Sequence, residues 1–407
     1  MAVNWAADAE WSVVRGVELA AVPAGIRYRN RDDLLLMAFS PGTQVGAVFT
    51  RNAFCAAPVH VARAHLASGS EIRGLLINAG NANAGTGASG HAAAQETCAL
   101  AAEQLGCEAE QILPFSTGVI GMALPVQPFA QALPLAREAL SAEGWPRAAR
   151  AIMTTDTLPK LRSRVLQLRD GRQIHLTGIC KGAGMIKPDM ATLLAFIATD
   201  APLEAGACQA LLQDSVATSF NAITVDGDTS TNDACVLVAT GQAGGEAIFL
   251  DSADGQSLRA ALQSLMQELA QGIVRDAEGA TRLITVQVEE AQSVAEARQA
   301  AYAVAESPLV KTAAFAGDPN WGRILAAVGR SGLDNLRIDQ VDLWLDEVCL
   351  IAGGEPHPDY AESRGAAAVA RPEYTIRVVL GRGEAQATLW TCDYSYDYVR
   401  INAEYRS

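Results

Sequence analysis

The sequence predicts an α/β fold. Three observations carry that expectation: apolar runs of strand length recur along the chain, helical periods separate them, and half of the 407 residues are hydrophobic. The length suits two domains, or one large domain with an insertion. No uncharged apolar run approaches the ~18 residues that a membrane span needs. The opening residues 1–10 are acidic and lack the basic and apolar regions of a signal peptide. The net charge of −14, from 45 acidic against 31 basic residues, argues against a nucleic-acid or anionic-membrane surface. A soluble cytoplasmic enzyme fits best. The eight cysteines are scattered without a Cys-x-x-Cys pair and read as reduced, buried thiols. Five histidines with no His-Glu-x-x-His give no expectation of a metal.

Taken in order, residues 46–50 read as a strand, with a second short strand near 58–61. Residues 72–78 are a further strand candidate, and 92–105 a helix. Between them, Gly85-Thr86-Gly87-Ala88-Ser89-Gly90 matches G-x-G-x-x-G. A dinucleotide fingerprint would follow its strand at once, with an acidic residue closing a second strand. Here six residues intervene after Asn78, and Glu108 and Glu110 fall in a polar turn, so no nucleotide site is expected. Helices are expected near 129–140 and 148–153, and a hairpin across 164–168 and 173–177, turned by Asp170-Gly171.

The next stretch is the most unusual. Lys181-Gly182-Ala183-Gly184-Met185-Ile186-Lys187-Pro188 is a Gly/Ala run closed by a proline, which biases Lys187 towards an extended conformation. It leads into the apolar run 192–199, of the length of a buried strand. A hydroxyl, Thr192, is thus expected at the first residue of a core strand behind a loose loop. Such a Thr can attack its own upstream carbonyl, at Ala191, in an N-to-O acyl shift. Hydrolysis of the ester would leave Thr192 as a new N-terminus, its α-amino group (reference pKa ~7.7–8.0) serving as base for its own hydroxyl. The chain holds four lysines, at 160, 181, 187 and 311, and two of them, Lys181 and Lys187, lie within the eleven residues before this point.

Beyond it come a helix at 204–220, the polar block 221–233, the strand 234–239, a long helix at 258–276 and the strand 283–288. The block has three carboxylates near an Asp-Gly but lacks D-x-[DN]-x-[DN]-G with its distal Glu, so calcium is not expected. A helix at 294–306 follows. Asp318 is expected to cap the next helix, with Pro319 in its first turn. Strands near 341–351 and a hairpin across 375–389 close the fold.

Lys-Gly-Ala-Gly-Met-Ile…Met-Ala-Thr-Leu-Leu resembles the self-cleavage segment of the ornithine acetyltransferase (glutamate N-acetyltransferase) family. Asn-Ala-Gly-Asn-Ala-Asn-Ala-Gly-Thr-Gly at 78–87, Ser-Thr-Gly-Val-Ile-Gly at 116–121, Val-Asp-Gly-Asp-Thr-Ser-Thr-Asn-Asp at 225–233 and Gly-Asp-Pro-Asn-Trp-Gly-Arg at 317–323 resemble further family blocks. The likeness spans nearly the whole chain. It implies a helix–sheet–sheet–helix sandwich with a second smaller α/β lobe. It also implies cleavage between Ala191 and Thr192, giving an α chain 1–191 and a β chain 192–407 that assemble as a heterotetramer of two α and two β chains. The implied reaction moves acetyl from N2-acetyl-L-ornithine to L-glutamate by double displacement, with no metal and no organic cofactor. The motifs do not separate members that also use acetyl-CoA from those that do not.

By the same resemblance, Thr192 is the nucleophile, and Thr117 and Gly118 form the oxyanion hole. Neutral hydroxyl and amide donors suit a developing O⁻ without neutralising it. Lys181 and a Thr of the Thr154-Thr155-Asp156-Thr157 run contact the substrate, the motif not choosing between Thr154 and Thr155. Glu278, in a Glu-Gly-Ala-Thr turn where an acidic residue is normally solvated, would face the ornithine amine. Asn402 and Ser407 of the terminal Ile-Asn-Ala-Glu-Tyr-Arg-Ser would also touch substrate. Two other readings stand beside this one. In a self-cleaving N-terminal-nucleophile amidohydrolase or aminopeptidase, water would accept the acyl group. In a non-enzymatic scaffold, Thr192 would be plain structure and the chain would stay at full length.

Overall fold

The computed structural model describes residues 2–187 and 193–404. Among these residues the strands form three sheets, and the first two face each other. The first sheet comprises β1 (Val17–Val22), β2 (Leu34–Phe39), β4 (Gly74–Asn81) and β5 (Ile112–Val119), in that order. The second has the order β3 (Gln44–Phe49), β9 (Ala234–Ala239), β8 (Leu194–Thr199), β7 (Gln173–Lys181) and β6 (Lys160–Gln167).

Alternation sorts the side chains into layers. On β2, Leu35 and Met37 enter the core shared by both sheets, while Leu34 and Leu36 point the other way. On β8, Leu194, Phe196 and Ala198 enter the shared core, and Ala195 and Ile197 face outward. Both outer faces are roofed. Among the helices, α1 (Ala57–Ala67), α2 (Gly87–Leu105) and α3 (Gln127–Glu138) pack with the first sheet's side of the molecule, α4 (Trp145–Ala151) packs into the core shared by both sheets, and α5 (Ala207–Ala217) and α6 (Ala253–Arg275) cover the second sheet. Because both faces of β8 are covered, all six of its residues are buried, which is why its sequence is continuously apolar. The helix–sheet–sheet–helix sandwich is as the resemblance implied.

A second lobe has its own core. Its sheet runs β13 (Glu355–Pro356), β12 (Val348–Ala352), β11 (Asp342–Leu345), β14 (Glu373–Val379), β10 (Leu283–Ala291) and β15 (Ala385–Cys392). Helices α7 (Val294–Ala305), α8 (Pro308–Ala316), α9 (Trp321–Gly329) and α10 (Glu362–Val369) supply buried residues to that core. The chain then enters α11 (Tyr396–Glu404).

Four expectations are corrected. Residues 58–61 are not a strand: they open α1, with Pro58 in its first turn, where a missing N–H costs nothing, and Val59, Ala62 and His65 turned inward at helical spacing. Residues 375–389 are not a hairpin, because β10 lies between β14 and β15, parallel to the first and antiparallel to the second. Asp318 is not the cap of α9. Asn320 is, accepting from Arg323 N at 3.1 Å, while Asp318 accepts from the Asn320 amide. Finally, the apolar run enters its ladder at Leu194, opposite Lys181 of β7 and Ala234 of β9, so Thr192 precedes the described strand and lies outside the described residues. All eight cysteines are free thiols. Among the described residues no helix is long and apolar enough to cross a membrane.

Candidate active site

A cavity of about 290 Å³ opens where the ends of β5 and β7, the start of β8, the loop 230–233 and α11 converge. Thr117, Gly118, Thr154, Thr155 and Lys181 line it, as do Glu278 and Asn402. These seven residues lie more than 280 positions apart at the extremes, and the fold brings them around one cavity. Ala191, Thr192 and Ser407 lie outside the described residues. Leu193, joined to Thr192 by one peptide bond, is part of the lining.

Thr117 and Gly118 owe their position to a break in the β4–β5 ladder. The parallel register slips at Gly80 and Asn81, opposite Gly118. Gly118 has φ +134°, and a Cβ there would sit 2.2 Å from the carbonyl carbon of Gly80, so only glycine fits. Polar side chains hold the slipped strands. Asn232 Nδ2 donates to Ala82 O at 2.6 Å and to Ser116 O at 2.9 Å. Ser116 Oγ donates to Asn78 Oδ1 at 2.6 Å, and Asn78 Nδ2 to Asn81 O at 2.9 Å. The asparagine block and the 225–233 block are therefore one hydrogen-bonded scaffold around the Thr117–Gly118 edge. The sequence marked both blocks, but Asn232 as their link emerges only from the fold.

Lys181 ends β7 and is almost fully buried. Burial pushes its pKa below the ordinary lysine value. Asp156 opposes that shift, Lys160 adds to it, and Asp233 and Glu278 also oppose it. Asp156 is the residue next to Thr154 and Thr155 that the sequence did not assign. Its Oδ1 accepts from Lys160 Nζ and from Gly182 N, each at 2.7 Å, and its Oδ2 from Thr154 N at 3.1 Å. Burial alone would raise this carboxyl. Lys160, Lys181 and the Gly182 amide outweigh it and hold the carboxyl far below the usual range.

The loop after Lys181 is anchored by the 225–233 block. Asp226 accepts from Met185 N at 2.7 Å and from Ile186 N at 2.8 Å, while Met185 takes φ +55°. Val225 N donates to Ile186 O at 2.7 Å, and Thr229 Oγ1 to Lys187 O at 3.1 Å. On the far side of residues 188–192, Ala234 N donates to Leu193 O at 2.8 Å. One end of the proposed cleavage segment is thus pinned to this polar block and the other to the first residue of β9, which follows it.

Glu278 departs from the solvated turn residue that its local sequence suggests, being 7% exposed. Its carboxylate rests against Gly184, where a Cβ would meet Oε2 at 2.5 Å. Asn402 Nδ2 donates to the same oxygen at 2.8 Å. Tyr398, one turn earlier on α11, stacks on Tyr394 at 4.7 Å, and its hydroxyl donates to Asp226 Oδ2 at 3.4 Å.

A two-sheet sandwich gathers neutral donors, a buried lysine and a buried carboxylate around one small cavity, an arrangement that suits acyl transfer. The chain belongs to the ArgJ family, whose family model matches residues 18–407, and it is an acyltransferase. The arginine biosynthesis bifunctional protein ArgJ of Methylococcus capsulatus is 54% identical over 394 residues, 97% of this chain and 96% of that one. A crystal structure of the ArgJ protein of Bacillus halodurans is 39% identical with a TM-score of 0.50, covering 52% of this chain and 99% of that chain. An ornithine acetyltransferase of Mycobacterium tuberculosis, solved with ornithine, is 34% identical with a TM-score of 0.40, over 44% of this chain and 93% of that chain.

Proposed function

We propose that this enzyme is a glutamate N-acetyltransferase of arginine biosynthesis, moving acetyl from N2-acetyl-L-ornithine to L-glutamate through an acetyl-Thr192 intermediate. The observation that carries the reading is the pairing of a cation and an anion in one cavity with oxyanion-type donors. Lys181 suits a substrate carboxylate, Glu278 with Asn402 suits an amine, and Thr117 and Gly118 line the same cavity as Leu193.

Self-cleavage between Ala191 and Thr192 comes first. The pieces 1–191 and 192–407 would stay together, because β7 and β8 are neighbours in the second sheet and β9 lies between β8 and β3. The Bacillus halodurans chain, matched over 99% of its length yet covering 52% of this one, is what one half of a cut chain would give. In turnover Thr192 Oγ attacks the acetyl carbonyl while its free α-amine takes the hydroxyl proton, through water. The Thr117 hydroxyl and the Gly118 N–H donate to the oxyanion. The C–N bond breaks, ornithine leaves with the proton, and the glutamate amine then attacks the ester and restores the Thr192 hydroxyl. Thr154 and Thr155 both line the cavity and both stand as substrate contacts.

The test is acetylornithine supplied without glutamate. One acetyl group should accumulate on the piece beginning at Thr192, and glutamate should discharge it. Acetyl on a lysine, or free acetate formed as fast with glutamate as without, would sink the reading. The same preparation, given glutamate and acetyl-CoA, decides whether acetyl-CoA is a second donor. Light scattering checks the assembly of two α and two β pieces, and cell fractionation the cytoplasmic placement.

A further inference from the structure

We propose that Asp156, braced by Lys160 and Asp276, is the positioning residue that holds Lys181 in place and in its ammonium form under the cavity. Lys160 is completely buried and bridges two carboxylates, Asp156 Oδ1 and Asp276 Oδ2, each at 2.7 Å. Asp276 caps the C-terminal end of α6 and is further satisfied by the Thr157 hydroxyl, Thr157 N at 2.9 Å and Leu158 N at 3.2 Å. Two buried carboxylates against one ammonium leave one negative charge in excess. Lys181 is the other cation whose field reaches Asp156.

Geometry and field act together. The Asp156 oxygen that takes Lys160 also takes the amide of Gly182, the residue after Lys181, so the carboxylate is fixed against the backbone that carries Lys181. Its other oxygen takes the Thr154 amide, so one group fixes two walls of the cavity. The charged groups facing Lys181 are Asp156 and Lys160 from the floor, Asp233 from the loop before β9 and Glu278 from the turn after α6. Burial and Lys160 favour the neutral amine, and Asp156 is the largest charge acting the other way. A buried ion network of this kind is weak evidence of stability, since apolar replacements are often as stable, so a role in setting the site is the better account of it.

The proposal rests on Lys181 being a substrate ligand only in its kinetic readout. With four lysines in the chain, ¹³Cε-lysine labelling gives four resonances, and Lys181→Arg identifies the one of interest. In Asp156→Asn the Lys181 titration midpoint should fall by about one pH unit or more, the size of shift one close opposite charge produces. The alkaline limb of kcat/KM should move down with it, because activity is lost as pH rises through the lysine pKa, and KM for acetylornithine should rise more than kcat falls. Lys160→Met should move the Lys181 midpoint up. Should Asp156→Asn not fold, Asp276→Asn removes one charge further back and should lower the midpoint by less. A Lys181 midpoint unmoved in a folded Asp156→Asn or Asp276→Asn protein overturns the proposal. A shifted midpoint with unchanged KM keeps the positioning role and refutes Lys181 as a substrate ligand.

Discussion

Asn402 donates its side-chain amide to Glu278 across 2.8 Å, tying the last helix of the chain to the turn after α6, 124 positions earlier. Chain ends are ordinarily frayed and removable. Here α11 has no fully buried residue, yet Tyr398 and Asn402 fasten it to the two carboxylates Asp226 and Glu278 that border the cavity and its loop. The helix is held by these polar contacts to the site and by two aromatic contacts, Tyr398 on Tyr394 and Tyr396 on Phe315, rather than by a core of its own.

Asn402→Ala should therefore leave self-cleavage intact and reduce kcat/KM for acetylornithine and glutamate. Stripping a buried carboxylate of its donor costs about 1–3 kcal/mol, or roughly 5- to 150-fold. Deleting residues 405–407 should act in the same direction. Steady-state kinetics on cleaved variants, with unchanged kcat/KM for both substrates, would show that the tail is only a tail.

Thr117→Val keeps the shape of the β5 edge and removes one oxyanion donor. Both processing and acetyl transfer should slow by about 10²–10³-fold. Intact mass against time gives the first rate, and a stopped assay the second. Slowing of one without the other would separate the two reactions' oxyanion sites.

Asp226 grips two amides of the loop, and burial pushes its carboxyl above the ordinary value, the Ile186 and Met185 amides pulling the other way. The ionised form is the one that accepts both amides. Acetyl transfer should therefore fall as pH drops through a midpoint above the usual ~3.9 of an aspartate. Asp226→Asn can accept only one of the two amides, so it should be slow at every pH and lose that acid limb. An unchanged acid limb in Asp226→Asn would assign the titration elsewhere.

Asn232→Leu leaves the carbonyls of Ala82 and Ser116 without the donor they share. A loss on the order of 2–6 kcal/mol is expected from two buried acceptors at ~1–3 kcal/mol each, read as a lower urea midpoint with an unchanged slope. Activity should drop with it, since Ser116 precedes Thr117. Full stability would mean the strands hold their slipped register without the link.

Much was legible locally. The continuous apolar run of β8, the β6–β7 hairpin and its turn, β9 and the long helices α6 and α7 are set by periods and turn chemistry within a dozen residues, so sequence alone determined them. The motif blocks also pointed to Thr117, Gly118, Lys181, Glu278 and Asn402, which the cavity gathers. What failed failed for want of distant partners. The β14–β15 hairpin was plausible until β10, almost a hundred residues earlier, took the place between them. Residues 58–61 looked like a strand because a short β-branched run carries no record of the helix that continues through Ala67. Glu278 reads as a surface acid until Gly184 and Asn402 close over it, and Lys160 is only one of four lysines until Asp156 and Asp276 meet at its nitrogen. Burial and charge are properties of neighbourhoods, and a neighbourhood assembled from residues 156, 182, 276 and 402 exists only once the sheets have closed.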